Sequence, residues 1–158
     1  MSAATRLGRA AVHALLAAAA CAVAVAASAA ATSPPLPAGA RPVPIALTLH
    51  YEMQCGYPGP GPVLVDFPAQ VRLPARLARA AVLVDGKPAL SVARVGASRV
   101  VIGLAPRSRI MCDVIGPGRL TIAFGLAANL GAPASPGTYR IVVRRAQLRL
   151  LVPLVVVR

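Results

Sequence analysis

Residues 45–55 alternate without a break. Ile45, Leu47, Leu49, Tyr51, Met53 and Cys55 fall on one side of an extended chain, and Ala46, Thr48, His50, Glu52 and Gln54 fall on the other. Helical side chains return to a face about every 3.6 residues, so a strict period of two fits only a half-buried β-strand, here with its odd positions inward. Similar short runs recur roughly every eight to twelve residues, punctuated by glycine and proline, as in an all-β sandwich. VLVDF places Val63, Val65 and Phe67 together, RVVIGL places Val100, Ile102 and Leu104, and RIMCDVI places Ile110, Cys112 and Val114. After GPG, read as a turn, RLTIAF aligns Leu120, Ile122 and Phe124, and GTYRIVVRR aligns Tyr139, Ile141 and Val143. Asp85-Gly86 suits a tight hairpin turn between AAVLV and a return strand ALSVARV. The final LRLLVPLVVV is apolar on both sides except at Arg149. It is too short to cross a membrane as a helix, and Pro153 assigns it to a sheet edge or a bulge. Only residues 74–81, PARLARAA, invite a helical turn.

The start of the chain has another character. Arg6 and Arg9 precede an Ala/Leu/Val stretch over residues 10–31, and Ala27/Ala29 and Ala29/Ala31 each fit an A-x-A cleavage site. This is the pattern of an export signal covering residues 1–31, with a mature N-terminus between Ala30 and Ser33 and a secreted, periplasmic or envelope location. Retention of the segment as a membrane anchor is the alternative, although alanine partitions weakly into lipid. Cys21 is read as signal filler, because the apolar run continues past it where a lipidated cysteine would be followed by a polar tether. Residues 32–44, with SPPLPAGARPVP, read as a Pro-rich leader without a core, and residues 45–158 as the sandwich domain. No transmembrane span is expected once the signal is removed.

The net charge is +13, and it remains +11 without Arg6 and Arg9; Lys87 is the one lysine. Such a balance points to anionic partners, an envelope polymer or a lipid surface, although an arginine-rich composition can also be general to a genome. Arg109, Arg119, Arg140 and Arg144 occupy outward strand positions and are the candidate polyanion contacts. There is no tryptophan, and few aromatic side chains remain for stacking on bases, so sequence-specific nucleic-acid recognition is disfavoured.

Catalytic chemistry has little to draw on. Beyond the leader, the chain holds one histidine, His50, and four acids, Glu52, Asp66, Asp85 and Asp113, with no G-x-S-x-G or H-E-x-x-H motif. The aspartates are read as solvent-facing strand or turn residues, and neither an enzyme nor a bound cofactor is expected. His50, Met53 and Met111, with the cysteines, supply the soft donors that copper favours, so a copper carrier is the second functional reading and a small hydrolase the third. The alternation turns His50 and Met111 away from the core and Met53 toward it, which separates those ligands. In an oxidising compartment Cys55 and Cys112 are instead expected to form a structural disulfide.

With these strands placed, residues 63–86 (VLVDFPAQVRLPARLARAAVLVDG), residues 106–115 and residues 129–143 (NLGAPASPGTYRIVV) together resemble immunoglobulin-like modules of prokaryotic cell-surface proteins. The cysteine pair departs from that pattern. The resemblance implies a single immunoglobulin-like sandwich of about seven to nine strands. The function expected of such a chain is that of an exported, non-catalytic binding or structural module.

Overall fold

The computed structural model describes residues 28–31, 33–54, 61–104, 115–146 and 148–158. Along the chain the strands are β1 (Ser28–Ala31), β2 (Leu36–Pro37), β3 (Ile45–Gln54), β4 (Val63–Asp66), β5 (Val82–Val84), β6 (Lys87–Pro88), β7 (Ser91–Val95), β8 (Arg99–Gly103), β9 (Ile115–Phe124), β10 (Gly137–Arg145) and β11 (Leu148–Val157). They form a five-stranded sheet in the order β1-β3-β9-β5-β6 and a six-stranded sheet in the order β2-β11-β10-β4-β8-β7. The fold is the all-β, two-sheet sandwich that the alternation requires. Set aside the two-residue strands β2 and β6, and nine strands remain among the described residues. The expected signal segment, up to residue 27, lies outside them.

Two long antiparallel pairs organise the sandwich. β3 pairs with β9 from Ile45↔Phe124 to Gln54↔Ile115, and β10 pairs with β11 from Gly137↔Val156 to Arg145↔Leu148. The odd positions Ile45, Leu47 and Leu49 are buried, as are Leu120, Ile122 and Phe124 opposite them. From the other sheet Ile141, Val143, Val152 and Leu154 meet this layer, with Val63, Val65, Val100 and Ile102 beside them. Phe67, just past β4, packs edge-to-face on Phe124 of the other sheet, with ring centroids 5.2 Å apart at 77°. Such a contact adds to the burial that drives the two layers together.

The turns follow their residues where the local chemistry is strong. Asp85 (φ 49°) and Gly86 (φ 78°) form the two-residue hairpin joining β5 to β6. That geometry needs positive φ at both positions, which Asp-Gly tolerates. The expected return strand ALSVARV does not pair with β5, because the strand that returns is Lys87–Pro88 and Pro88 ends it. Leu90 then bonds to Gly103, and Ser91–Val95 joins the six-stranded sheet beside β8. A second difference is GPG. It lies within β9, where Gly116, Pro117 and Gly118 pair with Met53, Glu52 and Tyr51. β5 reaches only Val82↔Phe124 to Val84↔Ile122, so among the described residues β9 has a partner on one side alone at Pro117, where a proline is tolerated. The helical turn expected over residues 74–81 reduces to a 3₁₀ turn at Arg79–Ala81.

The Pro-rich leader is more than a spacer. Leu36 and Val43 are 2% and 3% exposed and belong to the core. Leu36–Pro37 pairs in parallel with Val156 and Val157 of β11, and Val43 bridges to Leu130. Proline spacing left these two apolar side chains free to insert. Upstream, Ser28–Ala31 pairs with Leu47–His50 as an edge strand, with Ala29 and Ala31 packed against the core. Ser33 then accepts a hydrogen bond from the Ala46 N–H at 2.6 Å as the chain passes toward the other sheet. Cleavage after Ala29 or Ala31 would remove half or all of β1.

The inward and outward rows have opposite sensitivity. Phe124→Ala is expected to lower the unfolding free energy by about 3–5 kcal/mol. Val155→Ala, at an outward position of β11, should change it by no more than about 0.5 kcal/mol. Urea unfolding of both variants checks the assignment of faces.

Candidate functional site

The two outer faces of the sandwich differ. On the five-stranded sheet the outward side chains are small or polar: Ala46, Thr48 and His50 on β3 face Ala123, Thr121 and Arg119 on β9. On the six-stranded sheet, β11 turns Arg149, Leu151, Pro153, Val155 and Val157 outward. Leu151 is 46% exposed, Val155 43% and Val157 41%. Beside them on β10, Arg144 lies opposite Arg149, Val142 opposite Leu151, Arg140 opposite Pro153 and Thr138 opposite Val155. Isolated exposed apolar residues are ordinary, but a row along one strand, bordered by guanidinium groups, is a distinct surface.

At the centre of this face sits Asp66. Its place on β4, between β8 and β10, sets it opposite Arg99 on one side and Val142 on the other. Arg99 Nε donates to Asp66 Oδ1 at 2.5 Å and its Nη2 to Oδ2 at 3.4 Å, while Arg144 Nη2 donates to Oδ2. The Asp66 side chain is only 16% exposed. Burial alone would raise its pKa, but the hydrogen bonds and charges of Arg99 and Arg144 together outweigh it and hold the carboxyl below its ordinary value. Asp66 ties three strands by charge and leaves the trio with a net single positive charge. Arg140 and Arg149 are exposed on the same face. Neither has an acidic partner among the described residues. The face therefore carries four arginines and one aspartate, an arrangement able to bind anionic groups by charge-assisted hydrogen bonds.

The sequence candidates separate. Arg140 and Arg144 share this face, as their spacing requires, but Arg144 is committed to Asp66. Arg119 is exposed on the opposite sheet, and Arg109 lies outside the described residues. Arg94 points toward the interior edge, where its guanidinium donates to the carbonyls of Leu73, Pro74 and Gly96 and fastens a loop. Arg145 is buried at the end of β10. Asp66 and Asp85 do more than face solvent: Asp66 binds two arginines, and Asp85 Oδ1 accepts the Thr121 N–H at 2.9 Å.

His50 is exposed on the outer face of the five-stranded sheet, with Arg119 as its cross-strand neighbour, and a cation beside it disfavours a bound metal ion. The backbone of Met53 pairs with Gly116, and Met111 lies outside the described residues. Among the described residues no three His, Cys, Asp or Glu side chains gather in a metal-binding group. Cys55 and Cys112 also lie outside them.

No protein-family model matches the chain, and a comparison with curated proteins gives no match. Among solved structures, that of BslA, described as a bacterial hydrophobin, is similar at 15% identity with a TM-score of 0.48, over 84% of this chain and 98% of that one. A likeness of that size fixes neither fold nor function. Among the described residues no helix is long and apolar enough to cross a membrane.

The charge trio has a pH signature. A carboxyl whose pKa is depressed by folding stabilises the fold above its unfolded pKa of ~3.9 and loses that contribution as pH falls through the folded value. Asp66→Asn is expected to destabilise the protein by about 1 kcal/mol at neutral pH, a partly exposed ion pair being worth little more. The gap between variant and wild type should close as pH is lowered below ~3.9. Unfolding curves at pH 7 and at about pH 2.5 measure both effects.

Proposed function

We propose that this chain is an exported, non-catalytic binding or structural module of the cell envelope that engages anionic surfaces through the outer face of its six-stranded sheet. The export signal expected over residues 1–31 and the immunoglobulin-like sandwich that the sequence resembles support the envelope setting. One observation carries the choice of face: Arg99, Arg140, Arg144 and Arg149 stand on a single sheet surface against one acid, Asp66. Strand pairing fixes the spacing of their backbones before a partner arrives, so contact requires no ordering of the main chain. Attraction from the net positive charge acts at longer range and is screened by salt.

Arg140 and Arg149 are the residues to alter, since reversing Arg144 would also disrupt the Asp66 trio. Binding to polyphosphate at low ionic strength should weaken steeply as salt is raised. Arg140→Glu/Arg149→Glu should lower the affinity at least about tenfold, while Arg76→Glu, at an exposed position outside the strands of this sheet, should leave it within about twofold. Salt-insensitive binding, or none at low salt, contradicts the proposal.

A further inference from the structure

The outward row of β11 is apolar where folding does not require it to be. Leu150, Val152, Leu154 and Val156 already fill the core side of this strand. Leu151, Pro153, Val155 and Val157 on the other side touch no second layer among the described residues, and they extend about 20 Å at the spacing of alternate strand residues. A hydrophilic polyanion gains nothing from this row. A second copy adding its strand to the edge of β11 meets Pro153, which lacks a donor, and the like charge of Arg149. β2 covers the edge only at Val156 and Val157.

Resting on the function proposed above, we infer that the ligand of this face is the surface of an anionic lipid bilayer. The outward apolar residues of β11 enter the boundary between headgroups and acyl chains, while Arg140 and Arg149 meet lipid phosphates. Charge complementarity argues for this occupant, because the arginines lie beside and at the end of the apolar row rather than on another face. Apolar insertion and attraction to anionic headgroups reinforce each other at such an interface, where neither alone holds a protein firmly. The outer face of the five-stranded sheet has no comparable row, since its central residues are Ala46, Thr48, Thr121 and Ala123.

The test uses the chain as its native host processes it, with two variants, Leu151→Ser/Val155→Ser and Arg140→Glu/Arg149→Glu. Each is bound to phosphatidylglycerol vesicles, to phosphatidylcholine vesicles and to polyphosphate. The N-terminal segment is common to all three proteins, so differences among them report on the face alone. Circular dichroism and the urea midpoint confirm that the outward substitutions leave the fold intact. The wild type is expected to bind phosphatidylglycerol vesicles at least about tenfold more tightly than phosphatidylcholine vesicles. The serine variant should lose at least about fivefold on phosphatidylglycerol and stay within about twofold on polyphosphate, and the arginine variant should lose affinity for both. Unchanged vesicle binding by the serine variant overturns the lipid assignment while leaving charge-driven binding standing. Equal binding to both lipids overturns it as well. Self-association that disappears in the serine variant, with no vesicle binding by the wild type, makes the face a contact between copies and overturns it too. Polyphosphate binding indifferent to Arg140 and Arg149 removes the underlying proposal instead.

Discussion

Everything in this molecule hangs on the register of two long antiparallel pairs, β3 with β9 and β10 with β11. A strand has two sides, and a shift of one residue would exchange them. Burying Ile45, Leu47 and Leu49 against Ile141, Val143, Val152 and Leu154 therefore fixes which residues of every paired strand remain outside. Asp66, Arg99, Arg140, Arg144 and Arg149 share one surface because their inward neighbours share one core. The surface chemistry follows from the hydrophobic pattern.

That constraint also identifies what folding leaves unexplained. It demands apolar residues on the inner side of each strand and says nothing of the outer side. On β3 and β9 the outer positions are small or polar, and Thr48 among them is buried. On β11 they are leucine, proline and valine, flanked by arginines that the fold does not need for burial. The Asp66 trio gives this face local rigidity across three strands, yet its contribution to stability is small, because two of its three members are more than a third exposed. An amphiphilic, positively charged face is thus a feature to be accounted for by a partner.

Much of the architecture was legible because burial writes a period of two into the sequence. The rows of β3, β4, β8, β10 and β11, the second half of β9 and the Asp85-Gly86 turn could be placed residue by residue, but not the turn's return strand. Local rules failed where tertiary context overrode them. Gly116-Pro117-Gly118 reads as a turn but is held extended by β3, and Ala-rich Ser28–Ala31 has low strand propensity yet pairs along the same strand. Leu36 and Val43 were hidden among prolines. The candidate site was half visible. Arg140 and Arg144 share a face by spacing alone, but that Asp66 engages Arg144, or that Arg119 belongs to the other sheet, depends on strand order, which no periodicity encodes. Asp66 had a signal of its own, an acid at an outward position among valines, whose partner Arg99 begins a strand far along the chain.

If the outer face of the six-stranded sheet is the working surface, spatially resolved contact with lipid distinguishes it from the opposite face. In nuclear magnetic resonance with small phosphatidylglycerol bicelles carrying a nitroxide-labelled lipid, the amide signals of Val142, Leu151 and Val155 should broaden strongly, while those of Thr48, Thr121 and Ala123 on the opposite sheet keep their intensity. Equal broadening of both sets, or of the second set alone, would contradict the account.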